Sequence, residues 1–455
     1  MDTLIGTDNE GYAAAKEWIH KNRINEIECV FPDLTGSAKG KLVPANKYLK
    51  DRGFRLPESI FFQTVTGDSG EFDDLIEEME IDMILKPDFS TICFVPWATE
   101  PTAQIIHDCF QYDGSDIEFA PRNVLKRVLN FYHEKGWEPI VAPEMEFYLT
   151  QIEPSHHNPL QPPVGRYQRP EIGGNAYSMD TLNEFDPLLE MLYQYCELQG
   201  LDVDTLNHEY GTAQMEINFR HGKALSLADQ VFHFKRTTRE VAIRKNMYAT
   251  FMAQPMETQP GSSMHVHHSV VDKVTGKNIF TDEQGNYTEN FYHFIGGLQK
   301  YIPSSIAFFA PNVNSYRRFT PDNTAPINVG WGIDNRTACI RIPICDGESV
   351  RIENRIAGSD TNPYIVFAAS LAAGYLGILE KTKPTAPLDV AAHSLPHDFP
   401  TTMDEGLKSL DMVNPMHNIL GRKFIKVYKA VKLYELETFS KVISSWERQY
   451  LLLSV

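Results

Sequence analysis

The stretch VAPEMEFYLT, residues 141–150, is apolar except for Glu144 and Glu146. Side chains two apart in a strand share a face, so the two carboxylates point one way while Met145 and Phe147 point the other. Such a strand needs a sheet with one greasy face and one face that tolerates converging charge. The alternation recurs. In GSSMHVHHS (261–269) His265 and His267 share a face, backed by Met264 and Val266; in VRIENRI (350–356) Arg351, Glu353 and Arg355 share one, while Ile352 and Ile356 point away. In HEYGTAQMEINF (208–219) Glu209 and Glu216 flank a small-residue loop, with Gln214, Glu216 and Asn218 on one side. If these strands belong to one curved sheet, its concave side is a polar pocket.

Each pattern alone is weak: a lone ExE is usually a solvated strand, and a lone HxH is usually structural. Their joint occurrence carries weight, because a buried unpaired carboxylate costs several kcal/mol and several together cost more. A divalent metal resolves the conflict. Mg²⁺ and Mn²⁺ take carboxylate oxygens, and an imidazole among the ligands leans toward Mn²⁺. Glu144, Glu146, Glu209, Glu216 and Glu353 with a neutral His265 set five negative charges against the four positive charges of two metals. Arg317, Arg318, Arg336, Arg341, Arg351 and Arg355 then call for anions of their own. Phosphates or a substrate carboxylate fit a guanidinium fork; the alternative is internal salt bridging with the same glutamates. No GxxxxGK[ST] or GxGxxG is present, so the pattern points to a nucleotide held by metal-bridged phosphates in a sheet-lined channel.

With 455 residues the chain has room for two or more domains of about 100–200 residues. The first ~115 read as strand-rich: a helix over 9–21, a hairpin through EIECVFPDLTGSAKGKLVP, an acidic solvated face at 71–80, and a strand at IDMILKPD (81–88). From about 116 helices alternate with short strands, as in 120–136, which stops at Gly136, and in LLEMLYQYCELQG, which stops at Gly200. The Pro- and Gly-rich segment 152–174 reads as a loop whose His156 and His157 face solvent, and the last 40 residues read as helical. The apolar run PYIVFAASLAAGYLGIL (363–379) falls slightly short of the ~20 residues a membrane span needs and reads as a buried core helix. Acids within the first ten residues exclude a secretory signal. A net charge of −18 without a basic run argues against nucleic acid as a partner. Six scattered cysteines without CxxC spacing fit a reduced, cytoplasmic protein rather than a zinc site.

In the order PEMEF (143–147), NHEYGTAQMEIN (207–218), ATFMAQP (249–255), GSSMHVHHS (261–269), NSYRRF (314–319), NRTACIRIP (335–343), RIENR (351–355) and NPYIVFAASLAAG (362–374), the chain resembles class I glutamine synthetase. The resemblance runs from about residue 28 to the C-terminal WERQYL. It implies an α+β fold: an N-terminal β-grasp domain (1–115), then a catalytic domain (116–455) built on a curved antiparallel sheet with surrounding helices. It also implies a homo-oligomer of two stacked hexameric rings, with active sites between neighbouring subunits. Residue by residue, Glu146, Glu209 and Glu216 match the ligands of one metal, and Glu144, His265 and Glu353 those of a second. His267, Ser269, Arg341 and Arg351 match positions around ATP; Gly261, Arg318, Arg336 and Arg355 match those around glutamate or its phosphorylated side chain. The implied reaction makes γ-glutamyl phosphate from L-glutamate and ATP, then displaces the phosphate with an amine. The three arginines 318, 336 and 355 neutralise charge as it develops.

Three positions depart from ammonia-using enzymes. Their acidic FDGSS-like loop corresponds here to LPESI (56–60), in which Glu58 is the nearby acid; their glutamate before an Ala-Pro pair is Thr324 in NTAPIN; and the asparagine before their GSGMH motif is Pro260. Loss of two acids removes the charge that attracts ammonium and the group that takes its proton. The segments 54–68 and 320–337 are similar to γ-glutamylpolyamine and γ-glutamylputrescine synthetases, so the expected amine is putrescine or another polyamine. Glu58 and the acidic segment 71–80 are candidate acceptors for its distal cationic end. The rival readings are a glutamine synthetase using ammonia, a ligase for ethanolamine or small monoamines, and a non-catalytic ring scaffold. The last has no reason to keep five converging glutamates. The segment 381–398 lacks a tyrosine, so adenylylation there is not expected.

Overall fold

The computed structural model describes residues 9–51, 53–70, 75, 81–153, 155, 158–320, 325–345, 347–412 and 414–455. Two sheets organise it. The first holds β1 (Glu26–Pro32), β2 (Ala38–Pro44), β3 (Phe54–Pro57), β4 (Asp82–Pro87), β5 (Cys93–Phe94) and β6 (Thr102–Phe110) in the order β2-β1-β6-β4-β3, with β5 pairing β6. The expected hairpin is β1–β2, and it closes for a local reason. Asp33 Oδ1 accepts the amides of Thr35 and Ser37, each at 2.9 Å, an Asx turn that reverses the chain without a ladder partner. β1 and β6 run parallel. The helix Asn9–Lys21 buries Ala15 and Ile19 in a small core with Ile27, Cys29, Ala103 and Ile105, giving the β-grasp arrangement. Apart from Leu75, the acidic segment 71–80 lies outside the described residues, as do His156 and His157.

The second sheet has nine strands: β7 (Trp137–Gln151), β8 (Val203–His208), β9 (Gln214–Phe219), β10 (Gly222–Lys223), β11 (Met247–Thr250), β12 (Met264–Asp272), β13 (Trp331–Ile333), β14 (Ile340–Ile342) and β15 (Ile352–Asn354). Its order is β13-β14-β15-β12-β7-β9-β8, with β10 and β11 pairing the two ends of β7. All pairs are antiparallel except β13–β14, which is parallel. The greasy face is Met145, Phe147, Met215, Ile217, Met264, Val266, Ile340 and Ile352, all buried. Each such side chain contributes roughly 1.5–3 kcal/mol when taken out of water. The helix Ala224–Arg244 covers this face. Its Phe234 ring meets Phe219 edge-on at 5.3 Å and Phe147 at 6.1 Å.

The apolar run 363–379 is the helix Pro363–Glu380, capped at Asn362, whose side chain accepts the Tyr364 amide. It is buried from Pro363 to Gly377. Helices also end the chain, at Asn414–Leu420, Arg422–Ser440 and Ser445–Leu451. Arg122, buried on the helix Pro121–Glu134, welds the two sheets. Its Nη2 donates to Asp88 at 2.7 Å, its Nη1 to Asp108 at 2.5 Å, and its Nε to Asp229 at 2.9 Å. Asp88 and Asp108 belong to the first sheet's surroundings, while Asp229 lies on the helix that backs the second. The Tyr364 hydroxyl completes the group by donating to Asp229 at 2.6 Å.

Candidate active site

Strand register builds the site. Antiparallel pairing sets His265 opposite Glu144 and Glu146 opposite Glu216, with β7 central. One strand further on, His267 faces Glu353, and Glu353 faces Arg341. Because directly opposite residues present side chains on the same face about 5 Å apart, five short segments deliver one polar surface. Met145, Met215 and Val266 alternate onto the other face, so the apolar core fixes which residues converge. Shifting any strand by one residue would exchange the faces.

Two groups of potential ligand atoms result. Glu144, His265 and Glu353 form one and Glu146, Glu216 and His265 the other, each with its atoms within 4.8 Å of one another. His265 is common to both. Glu209 belongs to neither: its carboxylate turns to its own loop, accepting the Tyr210 amide at 3.1 Å and the Asn207 side chain at 3.4 Å. Glu144 also accepts from His267 Nε2 at 2.9 Å.

The two groups differ electrically. Burial pushes Glu144 up, but hydrogen bonds from His265 and His267 outweigh it and hold its carboxyl well below the usual range. Burial likewise works against ionised Glu353, and the adjoining Arg355 guanidinium overrides it, lowering the group to about 2. Around Glu146 the balance reverses: burial, then the nearby Glu209 charge, raise it to about 8, although the Ser263 amide donates to it at 2.7 Å. Glu216 is raised well above its ordinary value by burial and by Glu144, Glu146 and Glu209. Burial leads the upward shift of Glu209 as well. Burial and the Arg355 charge keep His265 neutral, as a ligand must be. Three carboxyls displaced upward beside a neutral imidazole are a donor set suited to a divalent cation: oxygen-rich and short of positive charge.

The arginines divide. Arg341 donates to Glu353 at 2.7 Å and to Asp334 at 2.7 Å, and Arg355 pairs with the other oxygen of Glu353. Internal salt bridging therefore accounts for two of the six arginines. Arg318 is fully buried; it donates to Ser263 Oγ at 2.7 Å and to the Ile356 carbonyl at 3.2 Å. Gly261 lies against it, and a Cβ there would stand 2.7 Å from Arg318 Cγ and 2.8 Å from the Ala253 carbonyl. Only glycine fits. Arg336 is exposed. His267, Ser269 and Arg351 line an open cleft of about 840 Å³ that also reaches Glu144 and His221. Glu58 is engaged elsewhere, with Gln111 at 3.1 Å and Lys423 at 3.5 Å. Thr324 lies outside the described residues.

Sequence reasoning missed several participants. Gln214 bonds Gly211, Gly261 and Glu146, tying two loops to the cluster. The Tyr148 hydroxyl donates to the Pro260 carbonyl at 2.8 Å. Tyr177 holds a left-handed backbone (φ 62°) beside Glu209 and Arg336, a conformation rare for a tyrosine and common at functional sites. Only Gln214 gave a sequence signal, through its alternation with Glu216.

Residues 118–451 match the family model of the glutamine synthetase catalytic domain. The chain belongs to the glutamine synthetase family and is an ATP-dependent ligase that forms a C–N bond. It is 34% identical to gamma-glutamylputrescine synthetase PuuA of Escherichia coli, over 94% of this chain and 91% of that one. It is 30% identical to a glutamate–isopropylamine ligase of a Pseudomonas species, over 95% and 96%. The solved structure of ligand-free GmaS superposes with a TM-score of 0.82 at 26% identity, covering 96% of this chain and 98% of that one.

Proposed function

We propose that the protein joins the γ-carboxylate of L-glutamate to an amine, with putrescine or another polyamine as the preferred nucleophile, through γ-glutamyl phosphate. The observation that carries this reading is Thr324, which stands before Ala325-Pro326 where ammonia-using enzymes place an acid. The likeness to a gamma-glutamylputrescine synthetase and to a glutamate–isopropylamine ligase supports it.

Glu144, His265 and Glu353 would hold one divalent ion, Mg²⁺ or Mn²⁺, and Glu146, Glu209 and Glu216 a second. Such ions, when bound, neutralise phosphate charge and orient the phosphates. The chain's own side chains do the rest. His267, Ser269, Arg341 and Arg351 stand where ATP binds. The cleft that three of them line supports this. Gly261 presents only backbone, packed tightly on Arg318, to the proposed glutamate position; Arg336 and Arg355 supply positive charge where the acyl phosphate forms. The acyl phosphate must be kept from water for the amine to capture it. The division into 1–115 and 116–455 belongs to the same reading, supported by the family match over 118–451. So do the stacked hexameric rings and a cytoplasmic location, the latter supported by six unpaired cysteines.

The test is phosphate release with ATP and glutamate, with ammonium, putrescine, spermidine, ethanolamine and isopropylamine supplied singly. Putrescine or spermidine is expected to give the highest kcat/KM. Faster turnover with ammonium than with every amine would return the chain to the glutamine synthetase reading.

A further inference from the structure

Glu209 sits in the loop between β8 and β9, and that loop is pinned from outside by the Pro- and Gly-rich segment that sequence reading treats as a plain connection. Glu171 Oε2 accepts the Ala213 amide at 2.6 Å and meets His208 Nε2 at 3.1 Å. On its other edge His208 Nδ1 lies 2.7 Å from the Glu209 carbonyl. A carbonyl only accepts, so Nδ1 carries the hydrogen in that contact. The loop is thus held at both ends through one carboxylate atom.

Two more contacts place the same segment on the loop. The Tyr177 amide donates to the His208 carbonyl at 2.9 Å. At Gly174 the backbones touch so closely that a Cβ would lie 1.4 Å from the Tyr210 carbonyl. From the far side Gln259 accepts the Thr212 amide at 3.0 Å. His208 is buried, and Glu171 Oε1 is buried without a hydrogen-bond partner. Leaving half of a carboxylate buried and unsatisfied is unfavourable. A loop needing only to be closed would be closed more cheaply.

We infer that Glu171 is a positioning residue: through His208 and Ala213 it fixes the backbone of the Glu209 loop. Rotation of the Glu209 side chain alone then lets its carboxylate join Glu146 and Glu216 on a divalent cation. This rests on the metal assignment proposed above. Second-layer partners of this kind set metal affinity, typically by 10- to 100-fold.

Glu171→Gln tests it without changing volume. One atom makes both contacts; the amide offers there either a weaker, uncharged acceptor oxygen or a nitrogen that faces the Ala213 amide. Mn²⁺ binding to the full-length protein, followed by calorimetry and electron paramagnetic resonance, is expected to show one of two equivalents weakened about 10- to 100-fold, with the other unchanged. The ATP KM is expected to stay at its wild-type value. His208→Asn is expected to give the same selective loss, and the double variant no more than either single one; it carries the test if Glu171→Gln does not fold. Wild-type Mn²⁺ affinity in the variants, or equal loss at both equivalents with a lowered EDTA unfolding temperature, overturns the inference. Failure of the wild type to bind Mn²⁺ overturns the metal assignment instead.

Discussion

Replacing Glu146 by glutamine is expected to stabilise the metal-free protein, although it removes a proposed ligand. In the folded chain burial and Glu209 raise the Glu146 carboxyl from 4.5 to about 8. A carboxyl raised on folding binds more protons folded than unfolded between those values, so stability is fully present below about pH 4.5 and is lost as pH rises toward 8. At neutral pH the penalty is about 2.5 pH units at 1.36 kcal/mol each, roughly 3 kcal/mol. Glutamine does not ionise and keeps an oxygen for the Ser263 amide. Chemical unfolding in EDTA is expected to show Glu146→Gln equal to wild type near pH 4.5 and up to ~3 kcal/mol more stable near pH 7. Saturating Mn²⁺ should reverse the order, since ligand at 1,000 times its Kd adds about 4.1 kcal/mol to a chain that binds it. A variant less stable than wild type in EDTA at pH 7, or one with an undiminished Mn²⁺ shift, would refute the reasoning.

Other perturbations probe separate parts. Glu353→Gln is expected to reduce turnover by about 100-fold or more with the wild-type molar mass in solution unchanged, read by phosphate release and light scattering. Arg122→Ala leaves Asp108 and Asp229 buried without their partner and is expected to cost roughly 3–5 kcal/mol in urea unfolding. His107 is buried against Tyr48 and held down to about 4 by burial. Its neutral form is favoured on folding, so stability falls as pH drops from 6.5 toward 4. Wild type is expected to lose about 2 kcal/mol more than His107→Gln between pH 7 and pH 5. An equal loss in both would remove His107 from the acid response.

The alternation in PEMEF and MHVHH made the two faces of β7 and β12 readable, because a period of two is a local property of the chain. Register is not local. That Glu353 lies opposite both His267 and Arg341 depends on β12, β14 and β15 meeting over long connections, so Arg341 read as a free guanidinium when it is partly spent on Glu353. Arg122 gave no sign for the same reason: an arginine in the first turn of a helix reads as surface until three aspartates from distant segments surround it. Glu171 lies in a stretch with no periodicity at all, where contacts come from loop-on-loop packing. The eight ordered motifs carried the family, and the family supplied the grouping of ligands that spacing alone left open.

The helix Pro363–Glu380 has the composition of a membrane span, yet here it is wrapped by Pro121–Glu134, Ala224–Arg244, Glu289–Tyr301 and Asn414–Leu420. The first three of these precede it in the chain. During synthesis, which runs from the N-terminus, the stickiest stretch therefore emerges only after most of its shell has been made, and the interval in which it could adhere to a bilayer or to another nascent chain is short. A circular permutation that placed residues 363–380 first would reverse that order and expose the helix for the whole of translation.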